Sequence, residues 1–350
     1  MNAATPNLRD TLDGLLDGRS LSTAAASQLL VALTSADTPP AMAGALLAAL
    51  RAKGVTAEEL RGFALAMRSL ARRPAIADAG NAVDIVGTGG DRSGSFNLST
   101  GAALLSAAAG VPVIKHGNRS VSSRAGSADV LEALGLSLPL DEQRAADCLR
   151  ATGFTFLFAP HYHPAMKALG PVRAAMGVRT VFNILGPLSN PAEPGYHVIG
   201  AYSLTVAQLM AEALAGLPIR RAFVIHGAGG WDEPTPLGPF TLLDVHNGAV
   251  TQSERDPRDY GLPVCEEAVL MGGDAAFNAV ALHRVLRGED RGGHRDALLL
   301  GTALALQVTG RQSDARAAVQ QAAAAIDSGA ALRLLEQLSA FGVALQGASR

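Results

Sequence analysis

The chain has 350 residues, of which 48% are hydrophobic and 17% are charged. This composition supports a large buried core and excludes a disordered, charge-rich protein. The 29 basic residues are offset by 31 acidic residues, which gives a net charge of −2. A general nucleic-acid-binding protein usually carries a basic surplus, so we expect no nucleic-acid partner.

The two cysteines, Cys148 and Cys265, are too few for a disulfide framework or a four-cysteine zinc site. Both are predicted to be buried thiols. Arg9 and Asp10 interrupt the N-terminal region, where a secretory signal would have an apolar run. The charge-free segment 93–114 contains serines, glycines and a proline, which argue against a membrane span. The sequence therefore indicates a cytoplasmic protein that makes no membrane contact.

Residues 7 to about 73 have the periodicity of successive helices. Gly54 is placed to cap a helix over 41–53, and the capping box Thr56–Glu59 begins another. We assign residues 1–76, joined by part of 160–185, to a helical domain. The first apolar face of this domain has leucines at spacings of one and two helical turns: Leu8, Leu12, Leu15 and Leu16.

From residue 82 onward, short strand-like segments alternate with helical segments. This alternation predicts an α/β domain over 77–350 with a mostly parallel central sheet, beside the smaller helical domain. The predicted strands are 82–86, 111–115, 155–158, 222–225 and 241–245. The predicted helices are 102–109, 128–134, 297–306 and 313–341.

A glycine-rich segment, 87–91 (GTGGD), directly follows the first predicted strand. Glycines there permit positive φ angles and close backbone approach, so that several N–H groups can converge on an anion. The segment is not a Walker A motif, because no Gly-Lys-Ser/Thr sequence closes it. It is not a dinucleotide fingerprint either, because Arg92 stands at the third glycine position. Ser99 or Thr100 is expected to cap the next helix. The segment is either a phosphate-binding loop or a plain turn.

A second polar segment, 115–123 (KHGNRSVSS), lies at the end of the second predicted strand. It supplies two cations, one amide and three hydroxyls as donors for phosphate oxygens. The alternative is a solvated polar loop. Two such segments at neighbouring strand ends favour a shared anion site, because ligands collect there in open α/β sheets.

Two adjacent carboxylates, Asp232 and Glu233, follow the predicted strand 222–225. Such a pair can hold magnesium when substrate phosphates complete the ligand shell, although acidic pairs on loops are usually solvated. His161 and His163 lack a nearby cysteine or carboxylate, so we expect them to shape a pocket rather than bind a metal.

Arg173 and Arg179 lie on a predicted helix. Either arginine could form a surface ion pair, or it could bind a substrate carboxylate through two parallel N–H donors.

Taken together, these segments resemble the anthranilate phosphoribosyltransferase family. The matching stretches are 83–100, 113–135, 154–191 and 226–238, so the resemblance covers nearly the whole chain. The family transfers the phosphoribosyl group of phosphoribosyl pyrophosphate (PRPP) to anthranilate, an early step of tryptophan biosynthesis. The resemblance implies the fold of pyrimidine nucleoside phosphorylases, with a small helical domain beside a larger α/β domain. It also implies a homodimer and two Mg²⁺ ions per subunit.

The resemblance further implies three groups of site residues. PRPP would bind to Gly87, Gly90, Asp91, Ser95, Asn97, Leu98, Ser99, Thr100, Lys115, His116, Gly117, Asn118, Arg119, Ser120, Val121, Ser122, Ser123 and Ser127. Anthranilate would contact Gly87, Asn118, Arg173, His116, His163 and Pro187. Magnesium would be held by Ser99, Asp232 and Glu233. No general acid or base is expected, because the neutral aromatic amine is already nucleophilic.

Three alternatives stay open at this point. The first is a phosphoribosyltransferase for another aromatic amine acid. The second is a nucleoside phosphorylase of the same fold, although its phosphate loops and base-binding segment differ from 115–119. The third is a non-catalytic relative that binds nucleic acid, which would require lost site residues and a basic surface.

Overall fold

A computed structural model of the protein describes residues 6–91, 93–119 and 124–348. Four helices come first in the chain: α1 (Leu8–Leu16), α2 (Thr23–Leu33), α3 (Pro40–Lys53) and α4 (Ala57–Ser69). Local sequence sets their ends. The Asn7 and Ser22 side chains accept backbone N–H groups at the starts of α1 and α2, and Gly54 ends α3 at a φ of 88°. The predicted capping box of α4 is confirmed.

The central sheet has seven strands in the order β3-β2-β1-β4-β5-β6-β7. The first five strands of this order are parallel, and β6 and β7 are antiparallel. The predicted fold class is therefore confirmed. The strands are β1 (Val83–Gly87), β2 (Val113–Gly117), β3 (Phe154–Phe158), β4 (Tyr196–Gly200), β5 (Arg221–His226), β6 (Phe240–His246) and β7 (Ala249–Arg255).

Two strands, β4 and β7, were not among the predicted strands. β4 is only five residues long and directly follows a segment rich in proline and glycine, which masks its apolar character. β7 is an exposed edge strand of mostly polar residues, so it lacks the apolar alternation that marks a strand in sequence.

Eleven further helices lie within the described residues. They are α5 (Leu98–Ala108), α6 (Ser127–Ala133), α7 (Glu142–Thr152), α8 (Ala159–Tyr162), α9 (Gly170–Met176), α10 (Phe182–Leu185), α11 (Leu204–Ala215), α12 (Ala275–Leu286), α13 (Gly293–Val308), α14 (Ala315–Asp327) and α15 (Ala330–Ala348). None of the described helices is both long and apolar enough to cross a membrane.

Apolar side chains cover both faces of the sheet, as expected for parallel strands. On one face, side chains such as Ile85 and Val198 pack with α5, α13, α14 and α15. On the other face, Ile199 and Val224 share a core with α11 and with the helices α2, α3 and α4. Helices α9 and α10 contribute to this second core, so the segment 160–185 packs with the N-terminal helices.

Two local expectations from the sequence are wrong. Leu16, assigned to the apolar face of α1, is 67% exposed because α1 ends there and only Leu15 of the pair turns inward. Cys148 is buried as predicted, but Cys265 is only half-buried, because it lies in a surface segment before α12.

Glu59 connects the start of α4 with the end of α3 and with the segment just before α2. Its side chain is fully buried. One carboxylate oxygen accepts the Leu21 N–H at 2.9 Å, and the other accepts Thr56 N–H at 2.9 Å and the Lys53 ammonium at 3.0 Å.

Replacing Glu59 by alanine should lower the free energy of unfolding by about 3 kcal/mol, because it leaves the Lys53 ammonium without its buried partner. Urea unfolding measures this loss. The matched control is Glu58→Ala, since Glu58 is exposed in the same helical turn and should change stability little. Equal losses in the two variants would show that the buried carboxylate has no special role.

Candidate active site at the carboxyl ends of the parallel strands

The glycine-rich segment after β1 packs directly on Asp232. A Cβ atom at Gly87 would lie 2.4 Å from the Asp232 Oδ2 atom. Gly89 has a φ of 68° and donates its N–H to the same carboxylate oxygen. Gly90 has a φ of 77°. The glycines at 87 and 89 thus allow the loop to approach an acidic side chain that lies 143 residues after Gly89 in the chain.

The start of α5 differs from the prediction. The helix begins at Leu98, after Asn97, and no side chain caps it. The prediction that Ser99 or Thr100 is the cap is therefore wrong. Instead, the Ser99 N–H donates to Glu233 Oε1 at 3.3 Å, and the Thr100 hydroxyl donates to Ser127 Oγ at 3.0 Å. A distant carboxylate replaces the local cap, which lets the helix begin earlier.

The sheet opens between β1 and β2. These strands pair in register only at Val83 and Val113, whereas β2 and β3 pair at five positions. The gap is filled by Asp84 and Asn190, both fully buried. Asp84 accepts the His116 N–H at 3.2 Å, and the Asn190 Nδ2 group donates to Asp84 and to the Ile114 carbonyl, both at 2.9 Å.

Sequence reasoning missed both Asp84 and Asn190. The available signal was a charged residue inside an apolar strand, in the segment VDIV. Such a residue is rarely buried without a partner.

Lys115 lies within β2 with its ammonium in this gap, and its side chain is 1% exposed. The ammonium donates to the Ile85 carbonyl and, at 3.3 Å, to Ser99 Oγ. Burial lowers the pKa of Lys115, while the negative charges of Asp84, Glu233 and Asp232 oppose that shift. The site therefore contains a desolvated cation with carboxylates on both sides.

The acidic pair Asp232–Glu233 is buried close to a third carboxylate, Asp91. Burial is the main reason that the pKa values of both carboxyls are raised. The pKa of Glu233 is raised to about 7. The charges of Glu233 and Asp91 raise the pKa of Asp232 further, and Lys115 opposes the shift of Glu233. Asp91 also accepts the Asp232 N–H at 3.2 Å.

This donor set fits a hard divalent cation. Within the described residues, no cluster of three or more histidine, cysteine, aspartate or glutamate side chains has metal-binding geometry. The two carboxylates and the Ser99 hydroxyl would therefore need additional oxygen ligands, such as those of a bound phosphate. A cation there would stabilise the charged forms of both carboxylates, which burial and the charge of Asp91 disfavour.

Two histidine rings form a neutral pair on the other side of Lys115. The rings of His116 and His163 contact each other edge-on, with centroids 5.0 Å apart. Burial lowers the pKa of His116 to about 3 and that of His163 to about 4. The Nε2 atom of each ring has no hydrogen-bond partner among the described residues. Pro187 is adjacent, since the backbone of its neighbour Gly186 interacts with His116.

The two predicted arginines have different environments. Arg173 lies on α9, with its guanidinium over the Phe182 ring at 5.1 Å from the centroid. Burial lowers the pKa of Arg173. Among the described residues, none accepts a hydrogen bond from its side chain and none forms an ion pair with it. Arg179 is not on a helix, because α9 ends at Met176. It packs on Tyr202 and donates to the Gly90 carbonyl.

The remaining predicted residues lie around this centre. Asn97 donates to the Ala125 carbonyl at 3.2 Å, and Asn118 accepts the Ala128 N–H through its carbonyl at 3.3 Å. Arg119 forms ion pairs with Asp129 and Glu132 of α6. Leu98 is buried, and Ser95 forms an isolated antiparallel β-bridge with Met271. Ser120, Val121, Ser122 and Ser123 lie outside the described residues.

His161 is separate from His163. Its Nε2 atom lies 3.4 Å from Glu142, and its ring packs edge-on against Tyr162.

Comparison with known proteins gives a consistent result. Residues 79–332 match the glycosyl transferase family a/b domain, and residues 9–71 match the glycosyl transferase family helical bundle domain. The anthranilate phosphoribosyltransferase of Bradyrhizobium diazoefficiens is 44% identical over 334 residues, which are 95% of this chain and 98% of the relative. That of Rhodopseudomonas palustris is 45% identical over 335 residues, again 95% and 98% of the two chains.

Two solved structures are also similar. The anthranilate phosphoribosyltransferase of Thermus thermophilus superposes with a TM-score of 0.89 at 41% identity, covering 95% of this chain and 99% of that chain. The Saccharomyces cerevisiae enzyme in complex with PRPP and Mg has a TM-score of 0.88 at 26% identity, covering 96% and 98%.

The buried, neutral His163 should make the folded protein sensitive to acid. The unfolded chain binds a proton near pH 6.5, whereas the folded chain does so only near pH 4. The stability that the neutral ring contributes is complete above about pH 6.5 and is lost as the pH falls towards 4.

Between pH 7 and pH 5, the wild type should therefore lose about 2 kcal/mol more free energy of unfolding than His163→Phe, which has no titrating ring. Urea unfolding at both pH values measures the difference. Parallel losses in the two proteins would mean that folding does not shift the pKa of His163.

Proposed function

The chain belongs to the anthranilate phosphoribosyltransferase family, and on that premise we propose that it transfers the 5-phosphoribosyl group of PRPP to the amine of anthranilate. The products are N-(5-phosphoribosyl)anthranilate, an intermediate of tryptophan biosynthesis, and pyrophosphate. The observation that carries the proposal is one cluster at the carboxyl ends of β1, β2 and β5. It combines the glycine-rich loop, the buried Lys115 ammonium and the acidic pair Asp232–Glu233.

The donor binds along the loops that follow β1 and β2. The buried ammonium of Lys115 attracts its phosphates more strongly than an ammonium in water would. The hydroxyls of Thr100 and Ser127, which contact each other at 3.0 Å, join the starts of α5 and α6, the helices that follow the two loops. The PRPP-binding residues are Gly87, Gly90, Asp91, Ser95, 97–100, 115–119 and Ser127. The assignment of 120–123 rests on the sequence alone.

Ser99, Asp232 and Glu233 hold magnesium together with the pyrophosphate of the donor. We assign two ions per subunit, as the family resemblance implies. When bound, magnesium supplies positive charge that stabilises the departing pyrophosphate. The raised pKa values of the acidic pair support magnesium binding at these residues, as does the PRPP and Mg complex of the yeast relative.

The acceptor lies beside the histidine pair. Arg173 holds the carboxylate of anthranilate, because its half-buried guanidinium has no other anionic partner among the described residues. The neutral rings of His116 and His163, with Pro187, line the channel that the aromatic ring enters. Gly87 and Asn118 complete the acceptor contacts. Positioning of the neutral amine against the anomeric carbon replaces acid–base catalysis.

We further propose a cytoplasmic homodimer joined through the N-terminal helices. Leu16, Val31 and Leu65 on α1, α2 and α4 are 67%, 46% and 37% exposed, respectively. Large apolar side chains on one helical unit suit a subunit contact.

Light scattering at micromolar concentration should give twice the chain mass, and a monomer would contradict the dimer.

The function is tested by the loss of anthranilate fluorescence when PRPP and Mg²⁺ are present. We expect turnover with anthranilate and none when either PRPP or the metal is omitted. A panel of aminobenzoates distinguishes another aromatic acceptor, and phosphorolysis of nucleosides tests the phosphorylase alternative. Binding to single-stranded DNA that survives moderate salt would indicate the nucleic-acid-binding alternative. No turnover by folded protein would overturn the proposal.

Arg173→Ala should raise the KM for anthranilate about tenfold or more, because it removes a charge-assisted bond worth roughly 1.5–3 kcal/mol. The KM for PRPP should stay nearly constant, because other loops hold the donor. Arg173→Lys should recover only part of the loss, since an ammonium lacks two parallel donors.

Steady-state kinetics with each substrate varied in turn measures these effects. The control is Arg150→Ala, because the Arg150 side chain is 72% exposed on α7. An effect of Arg173→Ala confined to PRPP, or no effect, would show that Arg173 does not recognise the acceptor.

A further inference from the structure

The segment that leads into α12 supports the loop that follows β1. The Gly272 N–H donates to the Gly94 carbonyl, and the Phe96 N–H donates to the Leu270 carbonyl, both at 2.9 Å. A Cβ atom at Gly272 would lie 2.6 Å from the Ser95 carbonyl oxygen. The segment 270–273 therefore packs against the loop that carries Ser95 and Asn97 and forms hydrogen bonds with its backbone.

One buried side chain completes this contact. Asn278, on α12, is 1% exposed and uses both ends of its amide. Its Oδ1 accepts the Gly273 N–H at 2.8 Å, and its Nδ2 donates to Asn97 Oδ1 at 2.7 Å and to the Gly273 carbonyl at 3.3 Å. The Gly273 N–H can pair only with an oxygen, so it fixes the orientation of the Asn278 amide.

The orientation of Asn278 in turn sets that of Asn97. Because the Asn278 Nδ2 donates, Asn97 must present its oxygen to Asn278 and its Nδ2 to the other side. The Asn97 Nδ2 there donates to the Ala125 carbonyl at 3.2 Å, two residues before Ser127 of α6. Asn97 thus connects the loop after β1 with the chain that enters α6.

We propose that Asn278 is a positioning residue for PRPP binding, which orients the amide of Asn97 and so sets the spacing of the two donor loops. The inference rests on the proposed function, because Asn97 and Ser127 belong to the donor site assigned above. Asn278 itself acts through Asn97, 181 residues earlier in the chain. Its removal leaves a buried amide oxygen without a donor, which frees Asn97 to rotate.

The test is a double-mutant cycle with Asn97→Ala, Asn278→Ala and the double variant. The readouts are the KM for each substrate and calorimetric binding of PRPP with Mg²⁺. Asn278→Ala should raise the KM for PRPP about tenfold and leave the KM for anthranilate within about twofold. The double variant should bind PRPP no more weakly than Asn97→Ala alone, because both substitutions remove the same interaction.

Asn278→Asp provides a variant of nearly the same shape if the alanine variant folds poorly. Its second carboxylate oxygen would face Asn97 Oδ1 and repel it, so PRPP binding should weaken at least as much as in Asn278→Ala. The control is Asn81→Ala, because Asn81 is exposed before β1 and its side chain accepts only from Arg220 among the described residues. It should leave both KM values unchanged.

Two failures are distinguishable. If Asn97→Ala binds PRPP like the wild type, the donor-site assignment is wrong and this inference falls with it. If Asn97→Ala weakens PRPP binding but the Asn278 variants do not, or if the two effects simply add, the inference alone is wrong. If the Asn278 variants have a lower melting temperature but unchanged KM values, Asn278 stabilises the fold and does not position PRPP.

Discussion

The buried ammonium of Lys115 is the constraint on which the rest of the site depends. A desolvated charge of this kind is costly unless carboxylates and hydrogen-bond acceptors surround it. The fold meets this requirement with Asp84, in the gap between β1 and β2, and with the acidic pair, because all three charges favour the protonated form of Lys115. The gap itself is stable because the Asp84 and Asn190 side chains satisfy backbone groups that a continuous strand ladder would have paired.

The same arrangement accounts for how the site works. A cation that is already desolvated and held by Ile85 and Ser99 needs little reorganisation when phosphate arrives. The carboxylates that offset it, Asp232 and Glu233, lie where a divalent cation would lower their mutual repulsion. The histidine rings stay neutral beside this charged cluster, which suits an aromatic acceptor. In the proposed reaction, charge compensation and positioning carry the chemistry.

The sequence was informative where structure is local. The alternation of strand-like and helical segments predicted five of the seven strands and the fold class, and local residue patterns predicted the capping box of α4. The sequence did not predict contacts between distant segments. Asn190 lies 106 residues from Asp84, and Asn278 lies 181 residues from Asn97. The cap expected at Ser99 or Thr100 failed for the same reason, since a remote carboxylate satisfies the first turn of α5. The family resemblance supplied roles for Arg173 and His163 that spacing alone left open.

The most direct test of the account is calorimetric titration of PRPP, with and without Mg²⁺, into the wild type and into the double variant Asp232→Asn with Glu233→Gln. The carboxamides keep the shape of the acidic pair and remove its charge. The account predicts that Mg²⁺ strengthens PRPP binding to the wild type at least about tenfold and has little effect on the folded double variant. Equal Mg²⁺ dependence in both proteins would contradict it.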